Sequence, residues 1–139
     1  MTKSLWINLP VEDVNKSKMF FTKLGFEQNL QYGVRDDSAS FFIGEHNLVM
    51  MLFEKSLYAS FAGTELDKNQ SGTGLLLSID AETVAEVDEM AKKVIKAGGV
   101  LYAEPGYKDG WMYGCGFIDL DGQRWSILYM VITKMPLGD

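Results

Sequence analysis

Histidine and cysteine are nearly missing from this chain: 139 residues hold one of each. Cys115 alone cannot close an internal disulfide, which agrees with a reducing compartment. No histidine or basic residue stands beside it to lower its pKa, so packing is its expected role. Lysine and arginine are outnumbered, 13 against 19 acids, for a net charge of -6. Nucleic acid and anionic membrane both demand phosphate-neutralising basic patches, so neither is an expected partner. No apolar run approaches the roughly 20 residues that span a bilayer, and Met1-Thr2-Lys3-Ser4 leads straight into a strand instead of a signal-peptide core. The expected address is the cytoplasm. Nucleophile elbow, phosphate loop and cysteine-histidine pair are absent as well. What remains is 47% hydrophobic and 23% charged, the balance of an ordinary folded domain, in a length that suits one domain or two small modules sharing a core.

The most informative stretch runs from Phe117 to Met130, where Asp121-Gly122 divides two runs of β-branched and aromatic residues. Asp-Gly in that setting signals strand, tight turn, strand, because the turn needs positive φ. In the second strand Trp125, Ile127 and Tyr129 fall on one face, with Arg124, Ser126, Leu128 and Met130 on the other. Phe42 to Phe53 repeats this stretch at an offset of 75 residues, matching Phe42 to Phe117 and Met51 to Ser126. The flanks repeat too: an apolar strand and a helix precede each copy, from Leu5 to Val11 in the first and from Leu75 to Ile79 in the second. Two copies of strand, helix and three strands is the economical reading. That gives an α+β fold, with module 1 at about 4–54, a connector at 55–72, module 2 at 73–131 and a tail at 132–139.

The first helix begins at Asp13 as N-cap, buries Val14, Ser17, Phe21 and Leu24 with Phe20 beside them, and ends at Gly25. Turns at Arg35-Asp36-Asp37 and Glu45-His46-Asn47 divide three short strands between Phe26 and Phe53, and connections this short imply antiparallel neighbours. Ser56 to Phe61 suits a short helical turn that covers a pocket or meets a partner; Gly63 to Gly72 has the composition of a flexible connector. The second helix carries a capping box at Thr83 and Glu86, a stripe of Val84, Val87, Ala91 and Val94, and a stop at Gly98-Gly99. A short strand from Val100 and an irregular loop through Pro105-Gly106 and Lys108-Asp109-Gly110 should follow, with Tyr107, Trp111, Met112 and Tyr113 clustered before the last hairpin. Thr133 to Asp139 reads as a loose tail.

Leu9-Pro10-Val11-Glu12-Asp13-Val14, continued by Ser17, Phe20-Phe21 and Leu24-Gly25-Phe26, resembles the opening of the glyoxalase, bleomycin-resistance and ring-cleaving dioxygenase superfamily, the vicinal oxygen chelate proteins. Asp119-Leu120-Asp121-Gly122 with Trp125 is similar to that superfamily's closing strand, and Ala97-Gly98-Gly99-Val100 fits its second module. The resemblance covers Ser4 to about Met130. It implies two tandem βαβββ modules forming a curled, mostly antiparallel eight-stranded cleft with helices outside. It also implies, for the metalloenzymes, one ligand on the first and last strand of each module. By register those positions are Trp6, Met51, Gly74 and Ser126. None is His, Glu or Asp. Indole, thioether, hydrogen and hydroxyl do not replace imidazole and carboxylate donors, so neither metal nor other cofactor is expected. His46 lies in a turn, where surface or capping duty is expected.

Parity assigns a cleft lining of Trp6, Asn8, Val49, Met51 and Phe53 from the first module, with Gly74, Leu76, Ser78, Ser126 and Leu128 from the second. Tyr113 joins them from the aromatic cluster. An apolar wall with a few hydrogen-bonding groups is the usual makeup of a small-molecule pocket, although Trp6 and Met51 are also bulky enough to fill it. The leading expectation is a metal-free binding protein like the bleomycin-resistance proteins, a homodimer that holds a small apolar or aromatic molecule, with modules paired within a chain or across two. A glyoxalase-like lyase or isomerase with donors drawn from Glu45, His46, Glu54 and Asp80 competes with it. A third reading is an interaction module with a vestigial cleft, contacting its partner through Tyr58 and Phe61.

Overall fold

The computed structural model describes residues 2–31, 33–66 and 74–136, which form two compact units, Met1–Ser71 and Gly72–Asp139. The first runs β1 (Trp6–Val11), α1 (Val14–Lys23), β2 (Glu27–Gln28), β3 (Ser38–Ile43), β4 (Leu48–Glu54) and α2 (Lys55–Ala62). The second runs β5 (Leu76–Asp80), α3 (Val84–Lys96), β6 (Val100–Lys108), β7 (Met112–Ile118) and β8 (Arg124–Met130). Their sheets are ordered β1-β4-β3-β2 and β5-β8-β7-β6, the same pattern twice. In each, the first strand pairs parallel with the last and the other pairings are antiparallel. The expected tandem βαβββ modules and α+β class are therefore present, and neither four-stranded sheet closes into a barrel.

Each sheet has one face under a helix. In the first unit Asp13 caps α1 by accepting from the Lys16 amide at 3.1 Å, and Gly25, at φ 100°, lets the chain leave. Phe20, Phe21 and Leu24 are buried, as are Leu9 and Val11 of β1, Phe41 of β3, and Met50 and Leu52 of β4, and α1 packs on β3 and β4 with the Phe21 ring 6.0 Å from that of Phe41. In the second unit Val87, Ala91 and Val94 of α3 are buried, and Val87 and Ala91 share a core cluster with Cys115 and Ile127. Thr83 caps α3 as expected, but Glu86 reaches the amide of Glu82 instead of Thr83, so the reciprocal bond of a capping box is displaced by one residue.

Three local expectations are corrected. Pro105-Gly106 does not break the chain into a loop: β6 continues to Lys108, and Tyr107, Met112 and Tyr113 are strand residues. The strand survives because β6 is an edge and its pairing slips between Leu101 and Ala103 and again between Ala103 and Gly106; an edge with such irregularities tolerates a residue without an N–H. The turn at Asp121-Gly122 is wider than a two-residue hairpin. Only Gly122 has positive φ (85°), and the Asp119 carboxylate closes the loop by accepting from the amides of Asp121 and Gln123 and from Trp125 Nε1 at 2.9, 3.1 and 3.1 Å. The tail begins with a 3-10 turn at Ile132–Lys134; its last three residues, and positions 67–73 of the connector, lie outside the described residues.

Candidate functional site

The cross-strand register of the first sheet defines a surface opposite α1. Trp6 pairs with Val49 and Val49 with Phe42; Asn8 pairs with Met51 and Met51 with Ser40; Pro10 pairs with Phe53 and Phe53 with Ser38. Cross-strand partners share a face, so these rows form a floor that is apolar along β4 and carries the hydroxyls of Ser38 and Ser40 on β3. Above it lies a cavity of about 810 Å³, within the usual range for a small-molecule site. Trp6, Asn8, Met51 and Phe53 all border it, so the bulky Trp6 and Met51 line the space without filling it.

Helix α2 supplies one wall. Glu54 caps it by accepting from the Ser56 amide at 3.0 Å, a bond that holds the Glu54 carboxyl below its ordinary range, and Lys55 pairs with Glu12 at 2.7 Å. Gly63, at φ 74°, ends it. No residue of α2 is buried; Leu57, Tyr58 and Phe61 border the cavity, and the Phe61 ring lies 5.1 Å from that of Phe53. A helix with nothing in the core and three apolar groups over a cavity is a cover. The opposite wall is polar. Asn29 donates to Ser40 Oγ at 3.2 Å and accepts from the Gln31 amide at 3.0 Å, while Arg35 Nε and Nη2 hold Asp37 at 3.1 and 3.4 Å. That contact holds the Asp37 carboxyl below its ordinary range.

Parity from Trp6 to Phe53 was legible in the sequence, but Asn29, Gln31, Arg35, Ser38 and Ser40 escape it. The alternation of Ser38, Ser40 and Phe42 with Ala39, Phe41 and Ile43 carries the signal for β3. Nothing local points to the segment from Asn29 to Arg35, which reaches the cavity only through the fold.

The second unit places Leu76, Ser78, Ser126 and Leu128 on the face of its sheet away from α3, with Ser78 and Ser126 directly opposed. Gly74 precedes β5 and is exposed. On the same face Tyr102 covers Gly116, where a side chain would overlap its ring, and Arg124 Cζ stands 4.7 Å from the Tyr102 centroid. Tyr113 is a correction. Alternation along β7 places it with Cys115 and Phe117 on the helix side, where its hydroxyl donates to Asp88 of α3 at 2.7 Å. That bond raises the phenol's pKa and removes Tyr113 from the expected lining.

The residues at the four positions that the resemblance assigns by register to metal ligands do not fit a transition ion. Trp6 and Met51 offer indole and thioether, Gly74 offers no side chain, and the Ser126 hydroxyl is bonded to that of Ser78. Among the described residues no three of His, Cys, Asp and Glu stand close enough to hold a metal. His46 and Glu45 occupy the β3–β4 turn, Glu54 caps α2, and Asp80 ends β5 in the other unit, so the alternative donors are scattered.

Comparison with known proteins agrees with this architecture. The family model for the bleomycin resistance protein-like N-terminal region matches residues 3–32. Comparison with curated protein sequences gives no match. Among solved structures, a hypothetical protein of S. aureus is 32% identical over 93% of this chain and 95% of its own, with a TM-score of 0.81. A glyoxalase-related enzyme from Fulvimarina pelagi aligns over 99% of this chain and 94% of its own at 16% identity and a TM-score of 0.80. A glyoxalase/bleomycin resistance protein/dioxygenase family enzyme from Burkholderia phytofirmans aligns over 91% and 97% at 17% identity and a TM-score of 0.75. The doubled βαβββ pattern and these likenesses along nearly its whole length show that the chain shares the fold of the solved glyoxalase/bleomycin resistance protein/dioxygenase structures, and its residues 3–32 match the bleomycin resistance protein-like N-terminal family.

Proposed function

We propose that the protein binds a small, mainly apolar or aromatic molecule in the cavity between the first sheet and α2, and that it does so without a metal. The observation that carries this reading is the chemistry of the lining. Among the described residues bordering the cavity there is no carboxylate, histidine, cysteine or lysine, so no side chain there exchanges a proton near neutral pH. Aromatic and aliphatic groups dominate instead: Trp6, Phe42, Met51, Phe53, Tyr58 and Phe61. Burial of a flat ligand against such walls is worth about 25 cal/mol per Å² before the cost of association. Hydrogen-bonding groups from Asn8, Asn29, Ser38 and Ser40 then fix its orientation.

The chain is proposed to act in the cytoplasm as a homodimer, and the sheet face of the second module that carries Leu76, Ser78, Ser126 and Leu128 is proposed as a separate ligand-facing surface. The test is a panel of aromatic and amphipathic compounds followed by amide chemical shifts of the labelled protein. Shifts concentrated at β1, β3, β4 and α2 are expected. Turnover of a bound compound, or shifts confined to α1 and α3, would overturn the reading.

A further inference from the structure

The strand order divides the cavity into two sides of different chemistry. On one side are β1, β4 and α2, which pack together and bring Trp6, Met51, Phe53, Leu57, Tyr58 and Phe61. On the other, β3 and the segment beyond β2 bring Ser38, Ser40, Asn29, Gln31 and Arg35. Asn8 and Phe42 are the exceptions to this division. An occupant that satisfies both sides has a greasy body and a polar head.

Arg35 decides the sign of that head. It is the only ionised side chain bordering the cavity among the described residues, in a protein whose net charge is -6. At physiological ionic strength the Debye length is about 8 Å, so distant acids weigh less than a charge in contact. Two groups of the Arg35 fork, Nε and Nη2, hold Asp37, whereas a guanidinium has five N–H donors in all. Asp37 does not itself border the cavity. Building on the binding function proposed above, we infer that the site selects an anionic amphiphile, an aromatic or alkyl body carrying a carboxylate or sulfonate, with its head between Arg35 and the Asn29–Ser40 pair. A cationic head would meet the guanidinium at close range without a carboxylate in the lining to receive it.

Two fluorescent probes that share one ring system separate the claims: anilinonaphthalene sulfonate, which is anionic, and phenylnaphthylamine, which lacks the sulfonate. Both are expected to bind the wild-type chain saturably. Arg35→Gln should weaken the sulfonate about 5- to 10-fold and change the neutral probe less than about 2-fold, the scale of one charge-assisted hydrogen bond. Asp37→Asn, which releases the whole fork, should tighten the sulfonate a few-fold. Arg35 and Asp37 are exposed or nearly so, and circular dichroism confirms that both variants keep the fold. Equal loss of both probes in Arg35→Gln, or loss of neither, overturns the anionic head while leaving the cavity as a binding site. Binding of the neutral probe without the sulfonate likewise overturns only the anionic head, whereas failure of both probes to bind the wild type overturns the cavity reading along with it.

Discussion

Ser78 and Ser126 stand opposite one another in the parallel β5–β8 pair, and their hydroxyls share a hydrogen bond of 2.7 Å. The resemblance assigns Ser126 by register to a metal-ligand position, and here its hydroxyl is engaged by a neutral neighbour. The purified protein should therefore carry well under one equivalent of zinc, nickel, iron or manganese per chain by elemental analysis. Chelation should leave its melting temperature unchanged. Stoichiometric metal that resists dialysis would contradict both statements.

Phe61 and Phe41 separate binding from stability. Phe61 is 69% exposed and touches Phe53 over the cavity, whereas Phe41 is fully buried between the first sheet and α1. Phe61→Ala should cost less than about 1 kcal/mol of stability yet weaken probe binding several-fold. Phe41→Ala should cost about 3–5 kcal/mol. Urea melts and probe titrations on the two variants check the contrast, and equal stability losses would remove α2 from its role as a cover.

Asp119 holds the last hairpin together. Its carboxylate accepts from two amides of the loop and from the Trp125 indole, which itself stacks on Phe117 with ring centroids 5.9 Å apart. Burial raises the Asp119 pKa against the opposing pull of those three donors. Asp119→Ala leaves them unpaired and should cost about 2–4 kcal/mol, read from denaturant midpoints. A loss below about 0.5 kcal/mol would mean that the loop closes without the carboxylate.

Cys115 gives a pH signature. Burial is the main cause that pushes its thiol up from 9.0 to about 11, with Asp88 and Glu104 adding to it. Because the folded value lies above the unfolded one, the stability tied to the neutral thiol is complete below pH 9 and is lost as pH rises through 11. The stability gap between the wild type and Cys115→Ala should therefore narrow across that window. A gap that stays constant to pH 11 would contradict the burial of the thiol.

Much of the fold was legible because the sequence states it twice. Alternation at Trp125, Ile127 and Tyr129 and the stripe of Phe20, Phe21 and Leu24 reflect burial on one face, which leaves a period in the residues themselves. Pro105 misled because edge position and pairing slips, which make proline harmless, belong to the sheet and not to the strand. Tyr113 misled for a related reason. Its neighbours in sequence are aromatic and suggest a cluster, yet the parity set by Cys115 and Phe117 directs it to α3. Half of the candidate site followed from parity alone, at Trp6, Asn8, Met51 and Phe53. The polar half did not, since Asn29 and Arg35 stand outside regular strands and carry no period to read.

Titration of the neutral naphthylamine probe into chelator-treated protein, with wild type and Asn8→Trp side by side, tests the central claim most directly. Asn8 is exposed on β1 beside Met51, so an indole there occupies the cavity without disturbing the core. Saturable binding at one probe per chain that survives chelation and falls at least about 10-fold in Asn8→Trp is the expected result. Binding that vanishes with the chelator and returns with added metal, or that ignores the indole, would contradict it.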